Sequence, residues 1–230
     1  MHFKILIMDS LLSNLKITVP DRIYIKDPES SNLGKRIIQH SILLIDEIGF
    51  DAFTFKKLGA KIGSNESSIY RYFESKHRLL HYLASWYWAW IEYQLVFATH
   101  SLQNPEEKLE RAIEIVTRAI KEDSKFSHIN EVALSRIVIN EYSKSYLTKE
   151  VDIENKEGYF AIYKRLVTRI RDMILNFKPD YQYAASLAST LIEGSIHQHF
   201  LKDHFKSLTD CGKAVTPTIF FKDLVLNTLQ

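Results

Sequence analysis

The chain of 230 residues has one cysteine, Cys211, which excludes an internal disulfide and suits a reducing compartment. Glycine and proline are scarce, with 7 and 5 copies, so there is little material for turns and long helices are expected. No apolar run approaches the ~20 residues of a membrane span. The largely apolar stretch Phe3 to Met8 meets Asp9 and leads to no small-residue cleavage site, so it does not read as a signal peptide. A cytoplasmic protein without a membrane partner is expected. A Gly-rich phosphate loop, a nucleophile elbow and paired cysteine ligands are also missing. No catalytic residue, no metal and no cofactor is therefore assigned, and the chain does not read as an enzyme.

Hydrophobic residues make up 46% of the chain and charged residues 25%, ordinary values for a globular protein with a full core. The net charge is only +2. Between Gly34 and Leu80, however, eight Lys or Arg stand against five Asp or Glu, +3 for that segment and −1 for the rest. Such a local excess suits a small phosphate-contacting face.

Apolar residues recur at helical spacing along most of the chain. Ile37, Ile42, Leu44, Ile45 and Ile48 stripe a first helix that Gly49 ends. A long helix is expected from Lys76 to about Thr99, and others from Pro105 to about Glu122, from Ile129 to about Ser145, and from Phe160 to Ile174. Two more run from Tyr183 to His204 and from Pro217 to the end, while Leu147 to Lys156 reads as an irregular charged linker. Only Leu15 to Lys26, rich in Ile, Val and Tyr, suggests a short strand, limited to an edge by Pro20. The expected fold is all-α, divided into an arm (1–33), a small head (34–80) and a larger helical body (81–230).

The head carries the most specific signal, in the segment Thr54 to Leu80. Phe55, Leu58 and Ile62 share one face of a short helix, Gly63 sits where the chain must turn, and Ser64 and Asn65 are good caps for a second short helix anchored by Ile69, Tyr70 and Phe73. Two helices around a glycine-containing turn form a helix-turn-helix, whose second helix enters the DNA major groove. Tyr70, Arg71 and Tyr72 are expected to project from that helix, arginine to guanine and tyrosine hydroxyls to phosphates. Glu66, Ser67 and Ser68 stand at its start, near the base edges.

With Thr54, Leu58, Gly63, Ile69, Tyr70, Tyr72, Phe73 and Lys76 at matching places, this segment resembles the DNA-binding domain of the TetR family of bacterial transcriptional regulators. The resemblance covers about 45 residues in detail, with the Ile69-Tyr70-Arg71-Tyr72-Phe73 run as its specific part. Gly59 departs from it, since the family prefers alanine there; glycine should cost the helix roughly 0.5–1 kcal/mol. The resemblance implies DNA contacts at Thr54 and Lys56 and a phosphate contact at Lys76, a ligand-responsive repressor, and a homodimer on a palindromic operator. It places the dimer surface on the last two helices, where Leu187, Leu191, Phe220 and Leu224 are candidates.

Trp86, Trp90, Tyr93 and Phe97 share a face of the long helix, with Tyr87 and Trp88 off it. They read as one wall of a pocket for a small apolar or amphipathic effector, which Phe160 and Tyr163 would also face. His197 and His204 share a helix face with Glu193 in a spacing open to metal ligation. A helix that ends in His and Lys also complements its own dipole, and that reading is preferred. The competing reading of the whole is a helical enzyme or protein-interaction bundle whose head does not bind DNA.

Overall fold

The computed structural model describes residues 17–122 and 126–230, and among these no strand occurs. The helices are α1 (Asn32–Ala52), α2 (Phe55–Ile62), α3 (Glu66–Tyr70), α4 (Lys76–Thr99), α5 (Pro105–Thr117), α6 (Glu131–Asn140), α7 (Tyr142–Tyr146), α8 (Val151–Lys156), α9 (Ala161–Phe177), α10 (Ala184–His204) and α11 (Pro217–Leu229). No described helix is long and apolar enough to cross a membrane.

Helix α4 is the axis of the molecule. Ser75 caps it by accepting from the Arg78 N–H at 3.2 Å, and every residue from Leu79 to Glu92 is buried. A helix apolar on all sides must be covered on all sides; α5, α6 and α9 pack around it. Helices α1, α2 and α3 form the head at its N-terminal end, around Ile37, Ile42, Phe53, Leu58, Ile69 and Phe73, all fully buried.

Several expectations change where tertiary contacts override local pattern. The described part of the expected strand holds a 3-10 turn, Asp21–Ile23, with Ile17, Val19 and Ile23 buried. Its backbone is tied to the head by Ile25 N–H donating to the Tyr72 carbonyl at 2.8 Å, so it needs no strand partner. Leu15 and Lys16 lie outside the described residues. Gly49, at φ 76° and ψ 158°, ends the regular part of α1 as expected, and a short helical segment kinked from it continues to Ala52. Helix α5 stops at Thr117, and the helix expected from Ile129 to Ser145 breaks at Glu141, whose carboxylate accepts the Phe50 N–H at 3.1 Å. The expected linker contains α8.

Lys76 is placed differently from expectation. Its ammonium donates to the carbonyls of Phe50, Asp51 and Phe53 at 3.0, 3.1 and 3.2 Å, so all three of its N–H groups are engaged within the protein. It pins the start of α4 to the end of α1 instead of offering a free charge to phosphate. Charge-assisted hydrogen bonds of this kind contribute about 1.5–3 kcal/mol each when a buried acceptor depends on them. Lys76→Met is expected to lower the melting temperature by several degrees, at about 2–4 °C per kcal/mol for a chain of this size. A melt unchanged from wild type would show that the pin carries no stability.

Candidate nucleic-acid interface and effector cavity

The head is built from local signals that agree with one another. Thr54 Oγ1 accepts from Lys57 N–H at 3.2 Å and starts α2, which Gly63 ends in the left-handed region at φ 60° and ψ 40°. Asn65 Oδ1 starts α3, accepting from Ser68 N–H at 2.8 Å and Ser68 Oγ–H at 2.6 Å. Ile69 and Phe73 are fully buried, which leaves the opposite side of α3 outward. The exposed side chains there are Lys56, Ser67, Tyr70 and Arg71, with Glu66 and Ser68 half-buried. The Tyr70 ring packs edge-on against Phe55, centroids 4.9 Å apart, which holds it in place while it remains 47% exposed.

Tyr72 does not belong to this face. It is buried at 3% exposure, and its hydroxyl pairs with Ser31 Oγ at 2.8 Å. Position 72 lies three residues after Ile69 and so falls on the same, buried side. The face that remains combines Lys56 and Arg71 with the hydroxyls of Ser67, Ser68 and Tyr70, donors suited to phosphate and base edges. Thr54 is exposed beside it, its oxygen already serving as the α2 cap.

Gly59 is part of the turn and not merely a weak helix former. A Cβ on Gly59 would lie 2.7 Å from the Ser64 carbonyl oxygen, and Ser64 N–H donates to the Gly59 carbonyl at 2.9 Å. The backbone of the turn lies directly on the helix at this point.

The aromatic helix divides into core and cavity. Trp86 and Phe160 are buried at 2% and 7%, Trp86 stacked on Trp90 and edge-on to Phe126. Phe97 is 55% exposed and Tyr93 half-buried. Tyr163 donates to Glu193 Oε1 at 2.7 Å and packs on Trp88. Of the expected wall, Trp90 alone lines a described cavity. That cavity, about 620 Å³, opens between Trp90, Gln94, Arg118, His199, Lys202 and Thr218. An adjoining space of about 210 Å³ shares Arg118, Ile120, His199 and Lys202 with it and reaches Tyr87 and Trp88. Tyr87 and Trp88 lie off the face that Trp86 and Trp90 share, and they reach this space because α5 ends at Thr117. His199 donates through Nε2 to the Thr117 carbonyl at 2.9 Å, and burial pushes its pKa below the usual histidine range.

The other candidates separate in a similar way. Leu191 is 1% exposed and belongs to the chain's own core, on the side of α10 that carries Ala188, Ile192 and Ser195; it is withdrawn from the dimer surface. Leu187 is half-buried. Phe220 and Leu224 are each 39% exposed on α11, beside the more exposed Ile219. Glu193, His197 and His204 are not gathered: Glu193 holds the Tyr163 hydroxyl, and His197 stacks on Phe200. Three potential metal ligands instead meet at His77, His81 and Glu154. The spacing of His77 and His81, one helical turn apart, is visible in the sequence, but Glu154 arrives from a distant helix. Burial, with His77 and Arg78 close by, pushes His81 down to about 3 and keeps its ring neutral.

Residues 37–83 match the family model described as "Bacterial regulatory proteins, tetR family". No curated protein matches the sequence. Among solved structures the chain is similar to the superantigen PfiT, with a TM-score of 0.57 and 15% identity over 88% of this chain and 97% of that one. It is also similar to AibR in complex with isovaleryl coenzyme A and operator DNA (TM-score 0.53, 14% identity, 85% and 97% covered). The ketosteroid transcriptional regulator KstR2 of Mycobacterium tuberculosis gives 0.53 and 14%, with 86% and 94% covered. At these identities the likeness is one of fold.

Helix propensity alone would have Gly59→Ala stabilise α2 by roughly 0.5–1 kcal/mol. The contact with Ser64 reverses that expectation: the substitution should lower stability and weaken DNA binding, because the turn must shift to admit the methyl group. Thermal melts and DNA retardation measured together decide it, and a stabilised variant with unchanged DNA binding would refute the tight contact.

Proposed function

We propose that this chain, whose residues 37–83 are a tetR-family DNA-binding domain, is a ligand-responsive transcriptional repressor that reads a palindromic operator as a homodimer. The observation that carries the reading is the exposed face of Lys56, Ser67, Tyr70 and Arg71, held outward by the buried anchors Ile69 and Phe73. Arg71 is assigned to a base edge, Tyr70 and Lys56 to phosphates, and Ser67, Ser68 and Glu66 to the groove at the start of α3. Thr54 sits beside the phosphate contacts. Two such heads must stand about one helical turn of DNA apart, roughly 34–36 Å, to read two half-sites. Phe220 and Leu224, with Leu187, are assigned to the surface that joins the protomers, since outward apolar rows on α11 suit a helical interface across a two-fold axis.

The effector is assigned to the space beside Trp90. Its lining joins apolar surface from Trp90 and Ile120 to the cationic side chains of Arg118, Lys121 and Lys202, which outnumber the carboxylates Glu114 and Glu122. That combination suits an amphipathic molecule with an anionic end, and the coenzyme A thioester bound by AibR is a molecule of that type. Helix α4 supplies the coupling: it begins at Lys76, directly after the reading helix, and passes the cavity at Trp90. An effector that binds one setting of α4 better than another shifts the heads, and by linkage operator DNA weakens the effector by the same factor.

Mobility shift with DNA from upstream of the chain's own gene tests the first assignment. Retardation that falls steeply with salt is expected. Arg71→Ala should lose about 1–3 kcal/mol at one defined operator position while keeping non-specific binding. A variant as selective as wild type would remove Arg71 from base reading.

Leu224→Asp tests the second. Light scattering should report a monomer, because an unpaired carboxylate is costly to bury in the joined surface. A variant still dimeric at the wild-type concentration would move the interface elsewhere.

A further inference from the structure

Three side chains that DNA reading does not use converge at the base of α4. His77 Nε2 lies 3.0 Å from His81 Nε2 and 3.3 Å from Glu154 Oε1, and His81 Nε2 lies 3.1 Å from the same oxygen. The three atoms form a nearly equilateral triangle. Hydrogen bonding cannot satisfy all its edges. Each Nε2 carries at most one proton. With both protonated, the nitrogens meet donor to donor; with one protonated, the other nitrogen's lone pair faces the carboxylate. One edge is repulsive in either arrangement.

A cation bound to all three atoms removes the conflict. For metal–ligand bonds of about 2.0–2.1 Å in tetrahedral geometry, ligand atoms stand about 3.3 Å apart, close to the separations found here. The second carboxylate oxygen, Glu154 Oε2, is buried and makes no hydrogen bond, although Glu154 is only 5% exposed. It is available for a bidentate contact. The cations that flank His77 in sequence are engaged elsewhere: Lys76 donates to carbonyls of α1, and the Arg78 guanidinium, though close to His81, stacks on Tyr159 at 4.2 Å and pairs with Glu74 and Glu157 at 3.7 and 3.8 Å.

We propose that His77, His81 and Glu154 bind a divalent transition-metal ion of the zinc class. Two imidazoles and a carboxylate suit such an ion, and not the all-oxygen sites of magnesium or calcium. Access lies through His77, whose side chain is 32% exposed while those of His81 and Glu154 are 3% and 6%. Three protein ligands leave one position for solvent, so the ion is exchangeable and the site is not a closed structural cage. Its location gives it a role. His77 and His81 stand on the first turns of α4, next to Lys76, and Glu154 stands on α8. An ion would therefore tie the base of the reading head to the body, a consequence that rests on the function proposed above.

The experiment is a cobalt(II) titration of the untagged, chelator-stripped full chain, followed by visible absorption and then by displacement with zinc. One ion per chain is expected, with the intense d–d bands of a four- or five-coordinate site, bleached by zinc. His77→Gln and Glu154→Gln should each weaken binding about 100-fold or more, at or beyond the roughly 10–100-fold that outer-shell partners carry in metal sites. His77 is half-exposed, so its variant should stay folded, and circular dichroism verifies this. A wild-type chain that shows no saturable cobalt spectrum would overturn the site. So would folded His77→Gln and Glu154→Gln variants that bind as wild type, or a loss that follows His197→Gln instead. DNA retardation is scored separately: its absence would remove the regulator reading without touching the metal titration.

Discussion

Helix α4 is enclosed from Leu79 to Glu92, and that enclosure constrains everything attached to it. A helix without a solvent face cannot rotate or slide without opening the core on some side, since close-packed interiors resist small displacements. Its polar residues are therefore fixed points. Glu92 is 5% exposed; burial pushes its carboxyl up, but Arg165 and Arg169 outweigh that and hold it below the usual carboxylate range. Arg165 Nε reaches both oxygens at 2.7 and 2.9 Å, and Arg169 Nε reaches one at 2.6 Å. Both arginines come from α9, so α4 and α9 are joined by charge as well as by packing.

The head is joined to the body through the end of α1. Arg136 on α6 forms a bidentate pair with Asp46 at 2.8 and 2.6 Å, and Lys144 on α7 pairs with Asp51 at 2.8 Å. Exposed pairs of this kind contribute about 0–1 kcal/mol each. They flank the bend at Gly49, Asp46 before it and Asp51 after it, beside the Glu141 carboxylate that holds the Phe50 N–H. A joint of several weak contacts around one bend can be reset at modest cost when an effector moves α4 together with the core packed on it. Motion between head and body is thus confined to the rim of the joint.

The legible parts of the molecule were those determined by neighbours in sequence. Caps at Thr54, Asn65 and Ser75, the left-handed Gly63 and the spacing of Phe55, Leu58 and Ile62 define the head without reference to anything distant. The same holds for α4, whose limits follow from Ser75 and the apolar run after it. What was not legible depends on what covers a side chain. Tyr72 turns inward because α3 packs with Ile69 toward the core, and Leu191 faces α10's own neighbours and not a second protomer. Lys76 finds carbonyls exposed by the bend in α1, a partner set about 25 residues away in sequence. Of the cavity only Trp90 was legible; the rest was not, because Arg118 and Lys202 in its lining are assembled from two separate helix ends.

The approach of Ser64 to Gly59 has a consequence for how such a chain can change over time. The two positions act as one structural variable: alanine at 59 requires a wider turn at 64, and a wider turn leaves a gap unless 59 gains a methyl group. Either change alone passes through a strained or underpacked intermediate. A chain that exchanges this glycine for alanine must therefore move the turn in the same step, and the order of the two changes sets how much strain the intermediate carries.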